Sequence, residues 1–130
     1  MEQIIDKIWG YEKIIENNEK YCLKFLIFNH RWMNSWHMHF NKDETFYVTK
    51  GLFYLATYCN GETKDGLLYP GDSIRIKPKT IHRLCGLNFH NEVLEASTYF
   101  DDKDVERFKK GREVYGTEEC DLHKKERYLK

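Results

Sequence analysis

Apolar residues in this 130-residue chain fall in short runs separated by turn residues, with side chains that suit strands. Ile8–Ile15 mixes bulky apolar residues with charges and predicts an edge strand bent at Gly10. Residues 1–5 precede it as a short arm. After the turn signal Asn17-Asn18-Glu19, Tyr21–Phe28 and Trp32–Phe40 read as strands. Asn41-Lys42-Asp43 is a tight polar loop, Glu44–Thr49 a returning strand, and Leu52–Cys59 the next, ending at the hairpin signal Asn60-Gly61. Glu62–Gly66 reads as polar loop. Leu67-Leu68-Tyr69 leads into the turn Pro70-Gly71-Asp72. Ser73–Lys77 alternates, with Ile74 and Ile76 on one face and Arg75 and Lys77 on the other. Thr80–Gly86 and Glu92–Phe100 complete about eight strands, a pattern that indicates an all-β sandwich or barrel.

The pattern then changes. Asp101–Lys110 is charged, with Val105 and Phe108 at i, i+3 spacing. It predicts a helix capped by Asp101 or Asp102 and stopped by Gly111. Residues 112–130 carry few apolar anchors and read as a partly ordered tail. Tyr115, Leu122, Tyr128 and Leu129 are its candidates for docking on the barrel or on a second subunit. The expected organisation is one domain: a barrel over 1–116, including the helix near 101–110, and a charged tail over 117–130.

Composition narrows the function classes. Twenty-one basic and 21 acidic residues balance, so no net field draws the chain to nucleic acid or anionic membrane. No window approaches the roughly 18–20 apolar residues of a transmembrane helix. The N-terminal residues are partly acidic and lack the apolar core of a signal peptide. Cys22, Cys59, Cys85 and Cys120 are scattered without a CxxC pair, so the expectation is reduced thiols in a cytoplasmic protein.

The chemistry concentrates in Trp36–Gly51. His37 and His39 lie two apart on a strand, so both imidazoles face one side, about 7 Å apart at the backbone. A hairpin through Asn41–Asp43 returns Glu44 beside them, and His82 completes a set of four candidate ligands. Imidazoles with a carboxylate suit Mn, Fe, Co, Ni or Zn rather than Ca or Mg. Four protein ligands leave a position open for catalysis or ligand binding.

The spacing His37, His39, Glu44, Gly51 resembles the first motif of the cupin family, and Pro70-Gly71-Asp72 through Pro78 and His82 resembles the second. The resemblance implies a double-stranded β-helix, a jelly-roll barrel with the metal inside its mouth. Three positions depart from the motifs. The leading glycine falls at Arg31, Thr80 stands in the region of a late glycine, and Gly86 replaces an asparagine. A finer similarity is to the cupin module of type II mannose-6-phosphate isomerases and related sugar-processing cupins. It is carried by Trp9–Glu12, Lys42–Val48, Pro70–Ile76, Ile81–Leu84, Leu94–Thr98, Asp104–Arg107 and Tyr115-Gly116.

That similarity implies a sugar or sugar phosphate as the small-molecule partner, with isomerisation or epimerisation as the reaction. Such a reaction needs a base near the metal. The candidates are Glu95, Lys42, His90, Tyr54 and Tyr99, with Glu95 favoured because it interrupts an apolar strand. Arg75, Lys77 and Arg83 are candidates for holding a phosphate. A metal-dependent oxygenase or lyase, and a non-catalytic sugar-binding cupin, are the alternatives. The sheet edges of such barrels lead to a homodimer as the expected assembly.

Overall fold

The computed structural model describes residues 2–129. Met1, in the expected arm, and Lys130, in the expected tail, lie outside them. The described residues form thirteen strands and one helix. The strands are β1 (Gln3–Lys7), β2 (Gly10–Asn17), β3 (Cys22–Phe28), β4 (Trp32–Met33), β5 (Trp36–Met38), β6 (Glu44–Lys50) and β7 (Phe53–Cys59), followed by β8 (Glu62–Leu68), β9 (Ser73–Ile76), β10 (Ile81–Gly86), β11 (Asn91–Ser97), β12 (Glu106–Lys109) and β13 (Arg112–Glu113). The helix is α1 (Thr117–His123).

One antiparallel sheet runs β1-β2-β3-β11-β6-β9. In the other, β8 pairs β7 and β7 pairs β10; β10 then pairs both β4 and β5, which are extended by β13 and β12. Side-chain alternation decides what lies between the sheets. On β3 the positions Cys22, Lys24, Leu26 and Phe28 are buried, and their neighbours are only half-buried. Leu26, Phe28, Phe46, Val48 and Val93 of the first sheet meet Phe53, Leu55, Leu68 and Leu84 of the second in one apolar cluster. Trp9 stacks on Phe28 at 4.2 Å between ring centroids, and Phe53 meets Phe28 edge-on at 5.3 Å. This is the jelly-roll barrel expected from the sequence.

Several expectations are corrected. Asp101–Lys110 is not a helix. Asp101–Asp104 forms a single turn, closed by Asp104 N–H on the Asp101 carbonyl, and β12 follows. Two apolar residues give a helix little to bury. The free edge of β5 and the open donors of residues 40–42 offer this segment better partners. The one helix lies instead in the expected tail. Leu122 and Tyr128 are buried, Tyr128 Oη and Thr57 Oγ1 are 2.7 Å apart, and Leu67 exchanges backbone hydrogen bonds with Glu126 and Tyr128. Tyr115 stays exposed.

The polar segment Glu62–Gly66 belongs to strand β8. Asn60 and Gly61 both take positive φ, 53° and 79°, and set the two-residue hairpin that carries it. The N-terminal arm and edge strand form the hairpin β1–β2. Trp32–Phe40 breaks at Asn34, whose amide oxygen takes the Leu84 N–H at 2.8 Å. No helix of the described residues is long and apolar enough to cross a membrane.

The three motif departures have local explanations. Arg31 adopts left-handed φ, 71°, and in the region of Thr80 it is the preceding residue, Lys79, that does so, at 67°. The chain therefore keeps turn geometry that glycine meets without strain, at about 1 kcal/mol or more for each bulky residue. A Cβ on Gly86 would lie 2.6 Å from Asn91 Nδ2. The amide of Asn91, from β11, occupies the space there and bridges Leu52 and Asn88 N–H to the Phe28 and Asn88 carbonyls.

Candidate active site

The barrel interior turns polar at one end. Moving one inward step along the same strands replaces Leu26 with Lys24, Val93 with Glu95, Phe46 with Glu44 and Leu84 with His82. A cavity of about 330 Å³ opens there, at the small end of the usual range for ligand sites.

His37 and His82 are direct partners in the β5–β10 ladder, and His39 lies just beyond the end of β5. The three offer ring nitrogens within 4.8 Å of one another, a triad that could hold a metal ion. Each ring is oriented by a backbone carbonyl. His37 Nδ1 lies 2.7 Å from the Ser35 oxygen, His39 Nδ1 2.9 Å from that of Asp104, and His82 Nδ1 2.9 Å from that of Thr80. A carbonyl can only accept, so each Nδ1 carries the hydrogen and Nε2 remains as the metal-binding atom. Burial pushes His39 down to about 4, against the opposing charge of Glu44, and holds His37 well below the ordinary histidine range, with His82 adding to the effect. Both rings are neutral near pH 7, as ligands must be.

Glu44 fits the same site. Its Oε2 lies 3.4 Å from His82 Nε2 and 3.7 Å from His39 Nε2. Both Glu44 Oε2 and His82 Nε2 are buried and, apart from each other, have no hydrogen-bond partner among the described residues. Burial favours a protonated carboxyl, but Lys42, at 3.7 Å, together with His82 and His39 outweighs it and holds Glu44 ionised below the usual carboxylate range. An acceptor oxygen facing imidazole lone pairs, all buried, is an arrangement that a divalent cation would satisfy. The residues present therefore fit such an ion.

Beside the triad runs a line of alternating buried charges. Lys42 Nζ is 2.7 Å from Glu95 Oε2; Lys24 Nζ is 3.9 Å from the same oxygen and 3.1 Å from Glu12 Oε1. Strand register sets this order, because Lys24 lies directly opposite Glu95 in the β3–β11 ladder. Glu95 Oε2 has the Lys42 ammonium as its close partner in a buried ion pair. Burial alone would discharge Lys42. Glu95 and then Glu44 more than offset it and hold the ammonium above its usual range. Asp104 organises the neighbourhood: its carboxylate takes the N–H groups of Phe40, Asn41 and Lys42, and its carbonyl orients His39.

Of the residues singled out in the sequence, His37, His39, Glu44, Lys42 and Glu95 line the cavity, and His82 joins the triad behind them. Others are not brought there. The Tyr54 hydroxyl donates to Asp65. Arg75 pairs with Asp43 on the outer face, and Lys77 is exposed. Arg83 donates to the Asn34 and Lys110 carbonyls. His90 and Tyr99 do not line this cavity either. The cavity also holds residues the sequence reading passed over. Lys24 shares the buried face of Cys22, Leu26 and Phe28, and that alternation was the available signal. Glu12 and Arg107 sit in the segments Trp9–Glu12 and Asp104–Arg107, to which no role was attached.

Two antiparallel sheets closed over a histidine-lined mouth define a cupin. Residues 1–110 match the family described as mannose-6-phosphate isomerase C-terminal, and the chain belongs to that family. Oxalate decarboxylase from Bacillus subtilis superposes with a TM-score of 0.75 at 14% identity, covering 82% of this chain and 30% of that one. KdgF from Halomonas sp. superposes with a TM-score of 0.66 at 22% identity, covering 78% of this chain and 89% of that one. This chain thus spans less than a third of the decarboxylase and most of KdgF. No curated protein matches by sequence.

Proposed function

We propose that this cupin is a divalent-metal-dependent enzyme that isomerises or epimerises a small sugar or sugar phosphate. The carrying observation is the Lys42–Glu95 pair, buried against the candidate metal ligands and facing the same cavity. Family membership supports the substrate class.

His37, His39, Glu44 and His82 would hold the ion, one of Mn, Fe, Co, Ni or Zn. When bound, it would supply a Lewis acid for the carbonyl of an open-chain sugar. Glu95 accepts the proton from the carbon beside the carbonyl and returns it to the neighbouring carbon. The hydroxyl proton crosses between the two adjacent oxygens in the same sense, so the formula is unchanged. Lys42 donates to the oxygen on which negative charge develops and keeps Glu95 ionised between turnovers. Phe100, with Lys24 4.0 Å above its ring, walls this end of the cavity. The exposed edge of β1, with Ile4 and Ile8 at the surface, supports a homodimer as the assembly.

Glu95→Gln is expected to keep the metal and slow exchange of the sugar proton with solvent deuterium by roughly 10²–10⁴-fold. An unchanged exchange rate in a folded variant would remove Glu95 from the mechanism. Oxygen consumption coupled to turnover would replace the isomerase reading with an oxygenase.

A further inference from the structure

Three of the six histidines form the candidate metal triad. The other three, His30, His90 and His123, converge elsewhere. They line a surface hollow of about 470 Å³ where the β3–β4, β6–β7 and β10–β11 turns meet α1. Glu119 of α1 lies between two of them. Its Oε2 is 3.1 Å from His30 Nε2 and 3.8 Å from His123 Nε2. Glu119 and His123 are four apart, so they share one face of the helix, while His30 comes from the barrel.

These distances suit a metal ion. Ligand atoms about 2.1 Å from a tetrahedral ion stand roughly 3.4 Å from one another, and the two measured separations fall on either side. The set is less closed than the buried triad, whose ligand atoms all lie within 4.8 Å of one another. His123 is exposed, so rotation about its own side-chain bonds can complete it. Phe89, with its ring 5.0 Å from that of His30, covers one side of that imidazole. Lys50 shares the lining, but it is exposed and its ammonium can turn to solvent.

The helix needs such a tie. It has seven residues, no side-chain hydrogen bond at its N-cap, and a single buried residue, Leu122. A helix this short does not hold itself in water. It also lies beyond residues 1–110, the part of the chain that matches the family.

We infer that His30, Glu119 and His123 form a second metal site, for zinc or a similar imidazole-binding divalent ion, that clasps α1 to the barrel. Two imidazoles and a carboxylate are a donor set for such an ion, with water completing the coordination. Because the ligands are partly exposed and close only by rotation, the site fills with added zinc and empties on desalting, unlike the buried triad.

The test is a calorimetric titration with zinc chloride in a non-chelating buffer. The parent protein carries Cys59→Ser and Cys120→Ser, which removes the exposed thiols, and is desalted first. One zinc per chain is expected to bind in a step that His30→Ala, Glu119→Gln and His123→Ala each weaken by roughly tenfold or more. The same step is expected to survive in His37→Ala, which separates it from the buried triad. At a zinc concentration about ten times the Kd, amide exchange in α1 should slow roughly tenfold in the parent and stay unchanged in His123→Ala. The site is overturned if no zinc step depends on these three residues, or if His37→Ala abolishes it. Zinc bound without slower exchange in α1 overturns the clasp.

Discussion

The two ends of this barrel are built from the same strands and obey opposite rules. In β3, β6, β10 and β11, one inward position is Leu26, Val48, Leu84 or Val93, and another is Lys24, Glu44, His82 or Glu95. The apolar end satisfies itself by dry packing around Phe28 and Phe53. The charged end is equally buried, yet Glu44 Oε2 and His82 Nε2, 3.4 Å apart, have no aligned hydrogen-bond partner among the described residues. Burial without satisfaction costs stability, and a metal ion held by the histidine triad would relieve that cost. One end is structure; the other is a receptacle that the first holds rigid.

Breaking the apolar end should cost the most. Phe53→Ala removes a fully buried ring and is expected to lower stability by about 4 kcal/mol, read by denaturant unfolding, while metal content stays intact at low temperature. Loss of metal with no loss of stability would reverse the division of labour. At the charged end, Lys24→Met leaves Glu12 and Glu95 short of a counter-charge and should cost about 3 kcal/mol. Adding Glu12→Leu should recover most of it, because an apolar pair replaces an ion pair with little penalty. Additive losses in the double variant would show that the two residues do not act as a pair.

Thiol reactivity gives the smallest effect. Burial pushes Cys85 up to about 12, so at pH 8 it stays a protonated thiol, and as pH rises it gains thiolate only near that value. Burial also raises Cys22, followed by an opposing effect from Lys24. Alkylation of the native protein at pH 8 should therefore modify the exposed Cys59 and Cys120 and spare the other two. Rapid modification of Cys85 would mean that the second sheet opens.

The barrel and its candidate ligands were legible because both depend on local rules. Period-two alternation put His37 and His39 on one face, and a short loop returned Glu44 to them. Segments whose structure depends on distant partners were not legible. Asp101–Lys110 has helical spacing, but the free edge of β5 and the amides of residues 40–42 draw it into a turn and a strand. The polar half of β8 is a strand only because a two-residue hairpin lays it against β7. Among the cations, Arg75 and Arg83 stood out near the motifs, yet an outer-face ion pair with Asp43 and backbone carbonyls of Asn34 and Lys110 take them up. Arg107 reaches the cavity through a strand pairing that joins residues 70 positions apart in the chain.

The central claim is that the charged end is organised around a divalent metal ion held by His37, His39, Glu44 and His82. Elemental analysis of the purified wild-type protein beside His37→Ala, His39→Ala and His82→Ala tests it most directly. The account predicts one transition-metal ion per chain in the wild type and substoichiometric metal in each variant. A full complement of metal in all three variants would contradict it.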